Sequence, residues 1–463
     1  MLKNIFCHSP TEEPPKNPED LSEAVDLGSS DAIVTWLTES SNLNRGSQLD
    51  DLDRERAARL ATLLAPDTAE DLLESVSPHT ALHFLRSVPF STLGGLLDTL
   101  DSDVATRIID LMDEDEAQQA LRSMAVSHST VVRGLLAWPD ESAASRMRAE
   151  FLHVAPSATM AEAVQVAREE PEDVEDGVFV TEEDGGEQRL LGWLSPAALL
   201  ASPPGSVVTD VMMPYDQLKQ WAVEPLSDQE AVAQRASAYN SQIVPIVEGG
   251  VLLGVISLDQ ARDIAREEAT EDAELQGGSS PLDVPYLKAS PLLLWKKRVG
   301  WLLILFIAEM YTGTVLRAFE DELDAVVALA FFIPLLIGTG GNVGTQITTT
   351  LIRAMGQGQV RMRDLGRVIG KEMLTAFLLA ATMGVAGALR AWSLGVGPEV
   401  ITVVAIALAC IVIWSSFVAA LLPQILKSIR VDPAVVSGPM ISTVVDGTGL
   451  LIYFYVAKLV LGL

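Results

Sequence analysis

ISTVVDGTGLLIYFYVAKLVLGL occupies residues 441–463. It has the length and apolar content of a membrane-spanning helix, yet Asp446 stands in it with Gly447 and Gly449 beside it. A carboxylate near a bilayer centre costs about 2.5–3.5 kcal/mol, so something must offset that cost, and a cation is the expected candidate. Apolar runs recur at roughly 298–318, 324–351, 367–391, 400–426 and 436–463. Each reaches the roughly 20 residues a helix needs to cross a bilayer. Lys296, Lys297 and Arg298 precede the first run. Arg353, Arg361, Arg363 and Arg367 separate the second from the third, and Lys427 and Arg430 the fourth from the fifth. The alternate loops, FEDELD (319–324) and SLGVGPE (393–399), carry acids. The positive-inside rule then predicts a multi-pass protein of the cell inner or plasma membrane, in contact with lipid, its N-terminus cytoplasmic and its C-terminus outside.

The second run contains FFIPLLIGTGGNVGTQITTT (331–350). Pro334 and the glycines 338, 340, 341 and 344 predict a loosened, interrupted helix, which is tolerated at membrane depth where it lines water. Small-residue helix packing would account for the glycines, but not for Asn342, Thr345 and Gln346 in the same turn. Gly338, Gly341, Asn342, Thr345 and Gly449 are therefore expected to line a path, with Asp446 as the ion ligand. One carboxylate, backbone carbonyls and retained water match the preferences of magnesium. A cluster of intramembrane His, Cys or paired acids is missing, which argues against soft transition metals.

The rest of the chain is soluble in character and strongly acidic. Residues 1–290 hold 52 acidic and 19 basic side chains, and residues 291–463 hold 10 and 13. Such a charge repels nucleic-acid phosphates and suits divalent cations. Cys7 and Cys410 are too few and too far apart for a disulfide framework or a thiolate metal site. Residues 1–20 lack an apolar core, so they read as a disordered tail and not a signal peptide.

Residues 65–124 repeat every 12 positions: APDTAEDLLESV, SPHTALHFLRSV, PFSTLGGLLDTL, DSDVATRIIDLM, DEDEAQQALRSM. Apolar residues fall at the fifth, eighth, ninth and twelfth places, as in Ala69, Leu72, Leu73 and Val76, then Ala81, Phe84, Leu85 and Val88. That spacing is one face of a short helix. No unit can bury its face alone, so a stacked superhelix is predicted. Beyond 150, VFVTEEDGGEQRLLGWLS (178–195) and IVPIVEGGVLLGVIS (243–257) each read as strand, Gly turn, strand, after a helical stretch. They resemble a tandem pair of CBS domains, which often sense adenosine nucleotides or cations; the first copy departs in its charged link EEPEDVEDG (169–177). SLDQARDIAREEATEDAELQGG (257–278) follows, a helix dense in carboxylates. Like charges at i, i+4 destabilise an isolated helix, so the stretch is either a solvated linker or a surface that cations bridge.

The chain resembles the MgtE family of magnesium channels and transporters along nearly its whole length. FFIPLLIGTGGNVGTQ, VDPAVVSGPMISTVVDGTGLLIYF (431–454) and AREEATEDAE (265–274) carry the resemblance. It implies a homodimer with a central pore, a hydrated ion at Asp446, and an acidic plug helix that gates. Asp263, Glu268, Glu271 and Asp272 match the family's acidic plug positions. At 259–260, where the family commonly has two acids, this chain has Asp259 and Gln260. That removes one bridging carboxylate. The predicted fold is a multidomain membrane protein. Its parts are a tail (1–20), an all-α superhelical N-domain (21–149), an α/β CBS pair (150–206 and 207–258), an acidic connecting helix and linker (259–290), and a five-helix transmembrane domain (291–463). The expected function is magnesium uptake, closed by intracellular magnesium bound between acidic cytosolic domains and the plug, with no enzymatic activity. A carrier of cobalt or manganese, and a non-transporting CBS sensor, are the alternatives.

Overall fold

A computed structural model describes residues 20–462 apart from Pro171, Asn240, Asp283, Pro285, Lys288 and Arg430. The tail to residue 19 with its Cys7, and the basic charge read at Arg430, lie outside the described residues. The chain divides into two compact units, Met1–Arg262 and Asp263–Leu463.

The first unit begins with short helices: α1 Leu21–Leu27, α2 Ser30–Glu39, α3 Asn42–Asp50, α4 Arg54–Leu63, α5 Pro66–Glu74, α6 Pro78–Ser87, α7 Phe90–Leu97, α8 Ser102–Asp110, α9 Glu114–Ser123 and α10 Val126–Leu135. Helices α5 to α9 take one 12-residue repeat each. Pro66 and Pro78 stand in first turns, where the missing N–H has no intrahelical partner to lose. The Ser77 hydroxyl caps α6 by accepting from Thr80 N, and Asp113 with Glu116 forms a capping box on α9. The repeat's apolar face is the core: Leu72, Leu73, Phe84, Leu85, Leu97, Ile108 and Ile109 are all buried. Burying each such side chain contributes about 1.5–3 kcal/mol, and none could be buried by its own two-turn helix.

A six-stranded sheet follows, with strands β1 His153–Val154, β2 Val178–Asp184, β3 Glu187–Leu194, β4 Met213–Pro214, β5 Ile243–Glu248 and β6 Val251–Ser257. Strands run in the order β1-β2-β3-β6-β5, with β4 on β3. The two hairpins β2–β3 and β5–β6 are the predicted CBS copies, and they join where Arg189 pairs with Val251. Helices α11 Met160–Glu169, α12 Pro196–Ala201, α13 Val208–Val211, α14 Tyr215–Leu218 and α15 Gln229–Tyr239 accompany them. The charged link of the first copy has a structural use. Asp176 pairs with the buried Arg148, whose Nη1 also reaches Asp101 Oδ2 of the N-domain at 3.2 Å. At the end of this unit α16 (Leu258–Gln276) begins, and Gln260 Nε2 donates to Asp103 Oδ2 at 2.9 Å.

The second unit holds α17 Pro291–Ala318, α18 Glu320–Ala325, α19 Ile333–Gly356, α20 Leu365–Ser393, α21 Pro398–Ser428 and α22 Gly438–Leu461. Five segments are long and apolar enough to cross a membrane: 291–318, 327–356, 362–393, 398–428 and 438–461. Helix α21 packs against α19, α20 and α22, and α17 packs on α22. The buried core runs through Leu336, Val404, Ile411, Val445, Leu450 and Phe454. Leu302, Ile304, Phe306 and Ile307 on α17 and Phe377 and Leu378 on α20 stay exposed, which suits lipid and not water.

One expectation is overturned here. The second span is not interrupted at its glycines: α19 runs unbroken from Ile333 to Gly356, and Pro334 lies in its first turn. The irregular backbone precedes it, as a 3-10 turn over Val327–Phe332. The glycines serve close approach instead. A Cβ on Gly340 would stand 2.7 Å from both Ile411 and Val445, and one on Gly341 2.7 Å from Ser442 Oγ. A Cβ on Gly344 would run into Ile441. Ser415 Oγ, buried on α21, donates to the Gly340 carbonyl at 2.6 Å. Packing through small residues accounts for these three glycines.

Candidate ion path

Helices α19 and α22 set the site between them because residues four apart share a helix face. On α22, Ser442 and Asp446 are one turn apart; on α19, Gly338 and Asn342 are. With Pro334, Ile337 and Gly341 they line a cleft of about 330 Å³. Asp446 is half-buried and Asn342 is exposed. Above Gly338 there is open space, since nothing lies within 4 Å of where its Cβ would be. The absent side chain at 338 thus widens the cleft, whereas those at 340, 341 and 344 let helices touch.

Of the residues expected on the path, Asp446, Gly338, Gly341 and Asn342 meet in this cleft. Thr345 lies a turn further along α19, where its Cγ2 is 3.0 Å from the Cβ position of Gly438 at the start of α22. Gly449 does not reach the cleft. It is buried and turned toward Ile411, whose side-chain carbons stand 3.7–3.8 Å from its Cβ position. Three residues on from Asp446, it falls on the α21 side of the helix.

A second acid was missed. Glu309 stands inside WLLILFIAEMYTGTVL (301–316) on α17, half-buried and within electrostatic reach of Asp446. The expectation that the membrane part has no paired acids is therefore corrected. The signal was present as one charge in an apolar run, the same signal that marked Asp446. Cys410, also in a span, is exposed and free.

On α16 the expected plug acids differ in setting. Asp263 is exposed, while Glu268, Glu271 and Asp272 are half-buried. Burial, and then the charge of Asp432, push the Asp272 carboxyl up to about 6, with Lys427 opposing. Asp432 lies in the loop between α21 and α22. The C-terminal end of α16 is tied down within this unit. Leu275 packs on the membrane core, Glu274 Oε2 accepts from Leu282 N at 2.7 Å, and Ser280 N donates to the Lys297 carbonyl at 3.0 Å. Gly278 takes φ +75° close against Trp301, whose Nε1 donates to Ser437 Oγ at 3.2 Å. The acidic helix thus ends beside the segments that lead into α17 and α22, and the charge of Asp432 acts on Asp272 there.

In the CBS pair a separate cleft of about 890 Å³ lies between the two hairpins. Arg189, Tyr215, Lys219 and Arg235 line it with Gly249 and Gly250.

A family profile described as the MgtE divalent cation transporter matches residues 333–456, and one described as the MgtE intracellular N domain matches 45–141. The chain is 37% identical over 333 residues to the magnesium transporter MgtE of Thermus thermophilus, covering 71% of this chain and 72% of that protein. The chain belongs to the MgtE family. The magnesium transporter MgtE of Bacillus subtilis is 31% identical over 340 residues, covering 73% of each chain. Among solved structures, the soluble part of a magnesium transporter covers 54% of this chain and 96% of its own, at 20% identity and TM-score 0.48. The cytosolic domain of the Mg2+ channel MgtE in complex with ATP covers 53% and 98%, at 25% identity and TM-score 0.46. With helical N-domain, CBS pair and five apolar helices, this MgtE-family chain is a multidomain, multi-pass membrane protein and a divalent cation transporter by family.

Proposed function

We propose that this MgtE-family chain conducts magnesium into the cell through a path lined by α19 and α22. Asp446 carries the reading: it is a membrane-span carboxylate that no described residue hydrogen-bonds or neutralises, open to a cleft with Asn342 and Gly338. A bare carboxylate in a span is a functional group by default. One charge and neutral oxygens around a partly hydrated ion suit magnesium, which gives up its water reluctantly. The path is completed on the axis of a homodimer, with the N-terminus cytoplasmic.

Closure is proposed to come from intracellular magnesium at the acidic helix. Asp272 and Asp432 are hard oxygen donors held near each other, and repulsion between them is relieved by a bound divalent ion. Ion binding would fix the end of α16 against the loops of α17 and α22. Glu268, Glu271 and Asp263 add negative charge along the same helix. Population of the closed state then rises with internal magnesium by differential binding. The cleft of the CBS pair, where Arg189, Lys219 and Arg235 stand with Glu224 and Glu248, is proposed to take an adenosine nucleotide, the basic side chains toward its phosphates and Tyr215 toward its base.

The test is flux of magnesium, calcium and manganese into liposomes holding the full chain. Asp446→Asn should abolish magnesium flux and leave thermal stability unchanged, since it keeps shape and removes charge. Wild-type flux in that variant overturns the assignment. A preference for manganese over magnesium in the wild-type protein favours the carrier of another metal.

A further inference from the structure

We propose that Glu309 is a second acidic residue of the ion path and that, with Asp446, it sets the preference for divalent over monovalent cations. This rests on the path reading above and deepens it.

Three observations carry it. First, α17 crosses α22 at Gly447, the residue next to Asp446. A Cβ on Gly447 would stand 2.5 Å and 2.7 Å from Tyr311 ring carbons and 3.4 Å from Thr312 Oγ1. Glu309 precedes Thr312 by one turn, so the two share the face of α17 that meets α22. Second, the Glu309 charge reaches Asp446, and neither has a basic or hydrogen-bonding partner among the described residues. Third, Thr312 is 8% exposed and its buried Oγ1 has no hydrogen-bond partner. Buried hydroxyls are nearly always paired, so this one is an unpartnered polar group at the α17–α22 crossing, on the face that Glu309 shares.

Two carboxylates in adjoining spans cost more than one, because each is drawn partly out of water and each repels the other. A monovalent ion neutralises only one of them, and a divalent ion neutralises both. Acidic rings select cations in pores on the same physical ground. Glu309 therefore raises the advantage of a doubly charged ion at Asp446 without needing to touch it.

The experiment uses the full chain in liposomes, measuring magnesium flux and the sodium-to-magnesium permeability ratio from reversal potentials. Glu309→Gln should raise that ratio roughly tenfold, the effect of losing one Coulomb interaction at intermediate dielectric. Glu309→Asp, which keeps the charge, should hold the ratio within about twofold of wild type on the same scale. An unchanged ratio in Glu309→Gln overturns the proposal. So does an equal change in both variants, which would make the residue a packing element. Asp446→Asn serves as the reference. If it abolishes flux while Glu309→Gln behaves as wild type, this inference alone is wrong; if it conducts as wild type, the path reading fails and takes the inference with it.

Discussion

Asp103 and Gln260 show how one amide changes a contact. Asp103 is 3% exposed, its Oδ2 accepts from Gln260 Nε2, and its Oδ1 has no partner among the described residues. Burial, then the Asp101 charge, push its carboxyl up to about 6, against the pull of Arg107, Arg148 and Arg146. A raised carboxyl binds its proton more tightly in the folded state. Its stabilising contribution is complete below the unfolded value of 3.8 and is lost as pH rises through about 6. Gln260→Glu replaces a donor with a second carboxylate beside a buried one, so this loss should deepen. The full chain should melt at a lower temperature than wild type near neutral pH, by an amount corresponding to about 1–3 kcal/mol. The gap should shrink at about pH 4, where both acids take up protons, and on adding millimolar magnesium. A pH-independent deficit would mean that the amide matters for shape and not for charge. An acid at 260 would need a cation to meet Asp103; here a hydrogen bond makes the contact without one.

Helix α19 separates two uses of small and polar residues on one element. Its face toward α21 and α22 is glycine because Ile411, Val445 and Ile441 leave no room for a Cβ at 340 and 344. Its face toward the cleft is Gly338 and Asn342. Gly344→Leu should therefore overpack the core, costing about 1–3 kcal/mol or preventing assembly, read as a fall in melting temperature. Asn342→Leu should leave the melting temperature unchanged and lower magnesium flux, because an apolar group replaces a polar one beside the ion. Measuring both quantities on both variants checks the division. Reduced stability and normal flux in Asn342→Leu would place that side chain in packing instead.

Across the whole molecule, charge is segregated. Residues 1–290 carry an excess of 33 acidic side chains, and residues 291–463 an excess of three basic ones. At physiological salt the Debye length is about 8 Å, so the overall excess matters less than carboxylates held close together. Asp272 and Asp432 are such a pair. Replacing Glu268, Glu271 and Asp272 together with Ala should leave the pore conducting at high internal magnesium, where the proposed gating closes the wild-type protein. Magnesium should also slow hydrogen exchange over 257–275 at millimolar and not micromolar levels, because sites that keep bound water hold the ion weakly. Exchange that ignores magnesium would make α16 an ordinary solvated linker and leave the Asp446 path untouched.

The secondary-structure elements are open to reading along the chain alone. Five spans, five short helices set by a 12-residue repeat and two strand–turn–strand hairpins were legible because each is a local pattern: a run, a period of 3.6, an alternation around glycines. The sequence also marked Asp446, since a charge in an apolar run is visible without a structure, and Glu309 was open to the same reading. What it could not fix was facing. Glycines at 338, 340, 341 and 344 look alike in sequence, but one opens a cleft and three admit neighbouring helices. Gly449 looked like part of the Asp446 turn yet packs on Ile411. The nearness of Asp272 to Asp432, of Gln260 to Asp103 and of Glu309 to Asp446 was equally out of reach. Hydropathy and periodicity describe a chain along its length. Which side of a helix meets a neighbour depends on rotations and crossings that only long-range packing decides, and Coulomb interactions between distant residues depend on those same separations.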